Sequence, residues 1–168
     1  MNQTPSPARS AGRLGTPSTR LRWLAGLCCV WMVVFAGVHV YWAVGGTFAM
    51  PAGFSVDEHT ALLVIDIIAV PLCLAGAALA LALVRPAGRR RPRTVTALTA
   101  LTGVFAIVHA AGTIVADLGM LSGVVEVPDT EAERISFFVF EPWWFLGGVL
   151  FVLAAWTFHT DRRHTPRT

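Results

Sequence analysis

Four ionisable residues stand inside long apolar runs of this 168-residue chain: His39, Asp66, His109 and Glu141. A charge at the centre of a bilayer costs roughly 2.5–3.5 kcal/mol on insertion scales, so such groups persist where they pair or serve a site. An imidazole beside a carboxylate can hold a ligand's polar group, move a proton or ligate a metal. The plainer reading of each is an interhelical hydrogen bond that holds a bundle together. For one residue the two readings balance; four such residues in four separate segments favour a site. Thr96, Thr99, Thr102, His109, Thr113 and Asp117 recur at spacings of three, four or seven and share one helical face. The threonines of that face either line a hydrated surface or bond to their own i−4 carbonyls. Both readings stay open for Thr96 to Thr102, whereas His109, Thr113 and Asp117 favour a cavity. Tyr41, Trp42, Trp143 and Trp144 fit an interfacial aromatic belt. Trp144 stands apart, because it lies three residues after Glu141 and so shares its face.

The segments that must position these groups follow from composition. The chain is 55% hydrophobic and 14% charged, with a mean hydropathy of +0.63. That excludes a disordered chain and a soluble enzyme, and three cysteines in apolar runs exclude a secreted disulfide scaffold. Four stretches, 21–44, 60–84, 95–118 and 135–159, reach the ~20 residues needed to cross ~30 Å of hydrocarbon. The first is longer than a signal-peptide core and reads as a retained helix. The fold class is therefore all-α, a four-transmembrane-helix bundle. Residues 1–18 read as a disordered cytoplasmic tail, 19–160 as the membrane domain, and 161–168 as a second cytoplasmic tail. Within the domain the helices run over about 21–44, 55–84, 94–118 and 130–159. The early starts of the second and fourth come from Ser55–Glu58 and Thr130–Glu133, which match the capping-box pattern. That pattern makes Glu58 and Glu133 caps rather than ligands. Pro71 and Pro142 lack the N–H that would reach the carbonyls of Ile67 and Phe138, so each predicts a kink beside an intramembrane carboxylate.

All 13 basic residues are arginine, and twelve of them fall before the first span, between the second and third, or after the fourth. The positive-inside rule then places both termini and the middle loop in the cytoplasm of a plasma-membrane protein. The basic middle loop reads as a topology determinant, and no nucleic-acid partner is expected. At ~1.5 Å per residue, His39, Asp66, Glu141 and His109 lie roughly 7–13 Å below the outer boundary. The inner half carries only Cys28, Cys29 and Cys73 as ionisable side chains. The expectation is one polar cluster open to the extracytoplasmic face.

The run His39-Val40-Tyr41-Trp42-Ala43-Val44-Gly45-Gly46 resembles the HxYWxxGG signature of small bacterial four-helix membrane proteins, domain-of-unknown-function family 3995. Arg134-Ile135-Ser136 leading into Glu141-Pro142-Trp143-Trp144 and Leu146-Gly147 is similar to that family's last helix. The resemblance implies the architecture and gives weight to His39, Tyr41, Trp42 and the glycine pair; it implies no activity. A looser similarity, of architecture alone, is to the sterol isomerase and sigma-2 receptor superfamily. It rests on Asp66 followed by Pro71-Leu72, and on Glu141 with Trp144.

Several functions compete. A binding protein would hold a small amphipathic molecule, a lipid headgroup or a cation in an outward polar pocket. Its candidate residues are His39, Tyr41, Trp42, Asp66, His109, Thr113, Asp117, Glu141 and Trp144. A membrane-embedded acid–base enzyme of isomerase type would use the same histidines and carboxylates on a lipid or sterol-like substrate. An accessory subunit would use them to join a larger complex. No HxxxH or ExxH spacing marks a metal site, and no cofactor is expected, although a metal or haem on the His/carboxylate layer stays open. The partners expected are the lipid bilayer and a possible second copy of the chain, with Gly76 and Ala80 or Gly147 and Gly148 as the contact.

Overall fold

The computed structural model describes residues 16–127 and 129–163; the outermost parts of both tails lie outside the described residues. The described residues are helical, with no strand. Helix α1 is Thr19–Ala43, α2 Thr60–Ala82, α3 the short Pro86–Arg89, α4 Pro92–Leu121, α5 Glu131–Ile135 and α6 Glu141–Arg163. A π-helical turn, Ser136–Phe140, joins α5 to α6 without a break. Four of these helical runs are long and apolar enough to cross a membrane, the last counted through α5, the π turn and α6.

Local chemistry explains most of the boundaries. The Ser18 side chain accepts from the Leu21 N–H at 3.2 Å and caps α1. Gly45 follows α1 with φ +91°, a left-handed conformation that glycine adopts without a Cβ penalty. Pro86 and Pro92 open α3 and α4, where a missing N–H leaves no bond unmade. Half of the Thr130 capping box forms: its oxygen accepts the Glu133 N–H at 3.3 Å, while Glu133 Oε2 accepts from the Thr130 hydroxyl at 2.7 Å.

Three boundaries depart from the sequence reading. Ser55–Glu58 is not a helix start, and Glu58 is not a cap: α2 begins at Thr60 with His59 at its cap position. The Ser55 hydroxyl bonds the Asp57 carboxylate, and the His59 Nδ1 engages the Ser55 carbonyl oxygen at 2.8 Å. Short polar side chains here compete with the helix for local bonds, and the turn wins. The C-terminal helix runs to Arg163, so residues 161–163 belong to it and not to a tail. The disturbance at Pro142 takes the form of the π turn just before it, a wider turn of the kind that absorbs such an interruption. Helix α2 is unbroken across Pro71.

Helix α1 packs chiefly on α2, and α4 chiefly on α6; α1 against α6 joins the two pairs, and α2 touches α4 more lightly. Close approach depends on glycine. A Cβ on Gly148 would lie 2.8 Å from the Gly103 carbonyl oxygen, and one on Gly103 would lie 2.8 Å from that of Gly148. Gly147 lies flat against the Trp31 indole, Gly76 beneath Met32, and Ala80 is fully buried. These small residues are therefore used within one chain. That corrects their assignment to a contact between copies.

The Ser18 N–H reaches Asp161 Oδ2 at 3.3 Å, and an Arg162 Nη1 donates to the Arg89 carbonyl at 3.2 Å. Both described chain ends and the α3 linker thus lie at one end of the bundle, here the arginine end; the opposite end is the loop end. Trp23 and Trp156 stand exposed toward the arginine end, in belt positions.

Candidate functional site

One face of α1 carries Trp31, Phe35, His39 and Trp42, each three or four residues from the next. It turns the imidazole of His39 toward α2, where Asp66 is the single buried residue between Thr60 and Leu72. His39 Nδ1 and Asp66 Oδ1 stand 2.8 Å apart, with side chains 12% and 8% exposed. With the proton on Nδ1 the imidazole donates to the carboxylate, a charge-assisted bond in a medium that strengthens it. The second carboxylate oxygen, Oδ2, is buried and has no partner. Burying an acceptor without a bond costs about 1–3 kcal/mol, and more when it is charged. The sequence put both in one polar layer with His109 and Glu141; in the fold these two are the pair that bonds.

The other site candidates lie around an aromatic wall. Trp144 stands edge-on to Phe35 at 4.9 Å and edge-on to Trp31 at 6.0 Å between centroids. Its other side meets the His109 ring at 4.7 Å and Phe105 at 6.3 Å. Phe35 in turn stands edge-on to His39 at 4.9 Å. His39, Phe35, Trp144 and His109 therefore form an unbroken run of rings from α1 through α6 to α4. His109 itself is exposed on the flank of α4. Trp143 stacks on Trp31 at 6.0 Å, and the Trp31 Nε1–H donates to the Trp143 carbonyl at 3.1 Å. Trp143 and Trp144 are thus bundle residues and not only a belt.

Glu141 opens α6 and is half-buried, with Oε2 buried and unpartnered. It lies two turns before Gly148, which packs on Gly103 and Ile107. On an antiparallel neighbour, two turns further along α4 is the stretch around Ala110, Thr113 and Ile114. Glu141 thus belongs to the α4–α6 seam, and no hydrogen bond or ion pair among the described residues joins it or His109 to the His39–Asp66 pair. Thr113 is half-buried on α4, one turn beyond His109; Asp117 lies on the same helix, its side chain outside the described set. The hydroxyls of Thr96, Thr99 and Thr102 donate to the carbonyls of Pro92, Val95 and Leu98 at 2.8, 2.7 and 3.0 Å. The alternative left open for them resolves as back-bonding within α4.

Tyr41 and Trp42 act on the turn that follows α1. The Tyr41 hydroxyl oxygen accepts the Phe48 N–H at 3.3 Å, and the Trp42 Nε1–H donates to the Phe48 carbonyl at 3.0 Å. Gly46 lies against the Tyr41 ring so closely that a Cβ would enter it, and Gly45 meets the Asp57 carboxylate. His39, Tyr41, Trp42, Gly45 and Gly46 thus have distinct uses: His39 serves the buried pair, Tyr41 and Trp42 hold Phe48, and the two glycines make room for the Tyr41 ring and the Asp57 carboxylate. Phe48 was not visible as an anchor, because its part is played by its backbone. Beside it a pocket of about 220 Å³ opens between Thr47–Met50 and α5, lined in part by Glu131 and Ile135.

Among the described residues no group of three His, Cys, Asp or Glu side chains is arranged to hold a metal ion. A family model described as a protein of unknown function (DUF3995) matches residues 32–151, from the middle of α1 into α6. Neither the curated proteins nor the solved structures contain a match to the chain.

Proposed function

Because the chain belongs to the DUF3995 family of proteins of unknown function, we propose its role from the site geometry: binding a small amphipathic molecule through its hydrogen-bond-donating head. The observation that carries this reading is the unpartnered, buried Oδ2 of Asp66, in a carboxylate already fixed by His39 on its other oxygen. A lone buried acceptor is complementary to a donor, an ammonium or a hydroxyl. The rings of Phe35, Trp42 and Trp144 supply an apolar surround in which such a bond gains strength. We place the site in the extracytoplasmic half of a plasma-membrane protein with both termini in the cytoplasm. The gathering of the described ends and the arginine-rich linker at the opposite end supports that orientation.

Thermal unfolding of the purified chain in the presence of octylamine, octanol and octanoate tests the reading. Stabilisation by the two donors, absent with octanoate and lost in Asp66→Asn, supports it; equal response to all three overturns it. A second reading draws on the same bond: a carboxylate that orients an imidazole is also the arrangement of a general base, with Nε2 of His39 as the proton-transferring atom. Turnover of an apolar substrate that vanishes in His39→Gln, while amine binding persists, would favour the enzyme.

A further inference from the structure

The bundle is closed unevenly. At the arginine end α2 and α4 are tied through α3: Gly88 lies against the Ala82 backbone, and Leu83 and Val95 belong to one buried cluster. Toward the loop end the two helices present apolar side chains outward. Ile65 and Ile68 on α2 are 57% and 53% exposed, and Phe105 and Val108 on α4 are 60% and 67% exposed. A Cβ added to Gly112 would meet no atom within 4 Å. Behind these flanks the rings of Phe35 and Trp144 run from the His39–Asp66 pair, on the α2 side, to exposed His109, on the α4 side.

An imidazole on a lipid-facing flank is a poor use of hydrocarbon surface unless something polar passes it. We infer that the ligand is a membrane-resident single-chain amphiphile with a donor head, which enters sideways from the bilayer between α2 and α4. This rests on the donor-binding reading above. The tail lies against Ile65, Ile68, Phe105 and Val108, while the head passes His109 and Trp144 to reach Asp66 Oδ2. An ammonium head fits best, because the free oxygen belongs to a carboxylate and the neighbouring rings offer their faces to a cation. The route differs from entry out of water at the loop end, past the pocket lined by Thr47–Met50 and Glu131.

The test uses the full chain in phosphatidylcholine nanodiscs and a hexadecylamine carrying a mid-chain diazirine. After photolysis, labelled peptides are mapped by mass spectrometry. Label is expected to concentrate in 62–72 and 104–115 over the lipid-facing residues of α1. Excess unlabelled hexadecylamine should suppress it and excess palmitate should not. In Asp66→Asn it should fall about ten-fold, the loss of one charge-assisted hydrogen bond. Competition in the wild-type chain keeps the test valid if that variant fails to fold. Equal labelling of all four spans overturns lateral entry, as does an α2–α4 flank left unlabelled because a second copy covers it. Label at residues 47–50 and 131–135 that still depends on Asp66 overturns the route and leaves donor binding standing. Label indifferent to both Asp66 and competitor overturns both.

Discussion

Replacing His39 by alanine, alone and with Asp66→Ala, measures what the buried pair contributes. The bond is 2.8 Å long, both side chains are nearly enclosed, and Oδ2 has no other partner. Removing the imidazole therefore strands a whole carboxylate, not half of one. Truncating one partner of a buried ion pair destabilises soluble proteins by about 3–5 kcal/mol, whereas hydrogen bonds between membrane helices average only ~0.6 kcal/mol and reach ~1.7. The two figures separate a charged pair from a neutral one. A pair enclosed between two membrane helices falls between these two figures, and the expected coupling is about 2–3 kcal/mol. Equilibrium unfolding of the four proteins in mixed micelles with rising dodecyl sulfate, followed by tryptophan fluorescence, gives the cycle. The double variant should be nearer the wild type than His39→Ala is. A coupling at or below ~0.6 kcal/mol would mean an ordinary neutral hydrogen bond, and the argument from a charged acceptor would fail with it.

Gly147→Ala should destabilise by about 1–3 kcal/mol in the same assay, because its methyl group would enter the Trp31 ring. Gly26→Ala, with nothing within 4 Å of the added carbon, should be neutral or stabilising by up to ~1 kcal/mol. Thr102→Val should stay within ~0.5 kcal/mol of wild type, since its hydroxyl serves only the Leu98 carbonyl. Trp42→Phe removes one of the two bonds that hold Phe48, and faster amide exchange in residues 46–50, by about 3–10-fold with no change at 21–36, is the expected result.

Hydropathy alone settles the coarse architecture, because a run of about twenty apolar residues has no stable state in water and only a helix satisfies its backbone in lipid. The Thr130 cap was also legible, and back-bonding of Thr96, Thr99 and Thr102 was one of the two readings left open, since both depend on residues within four positions of each other. The Ser55 cap was equally local and still came out differently: the motif named two compatible sets of short-range bonds, and the turn containing Asp57 and His59 took one of them. Residue type marked His39, Asp66, His109 and Glu141 as costly in hydrocarbon. It could not tell which of them meet.

That pairing is tertiary. Linear depth put four groups near one level, but each helix also has a rotation about its own axis, and glycine contacts at Gly147, Gly148, Gly103 and Gly76 set those rotations. They turn Asp66 onto His39, leave Glu141 in the α4–α6 seam, and put Trp144 between Phe35 and His109. Sequence fixes what a buried group needs, because desolvation depends on the group alone. The fold decides what it receives, because a partner must arrive from another helix at the right height and the right angle.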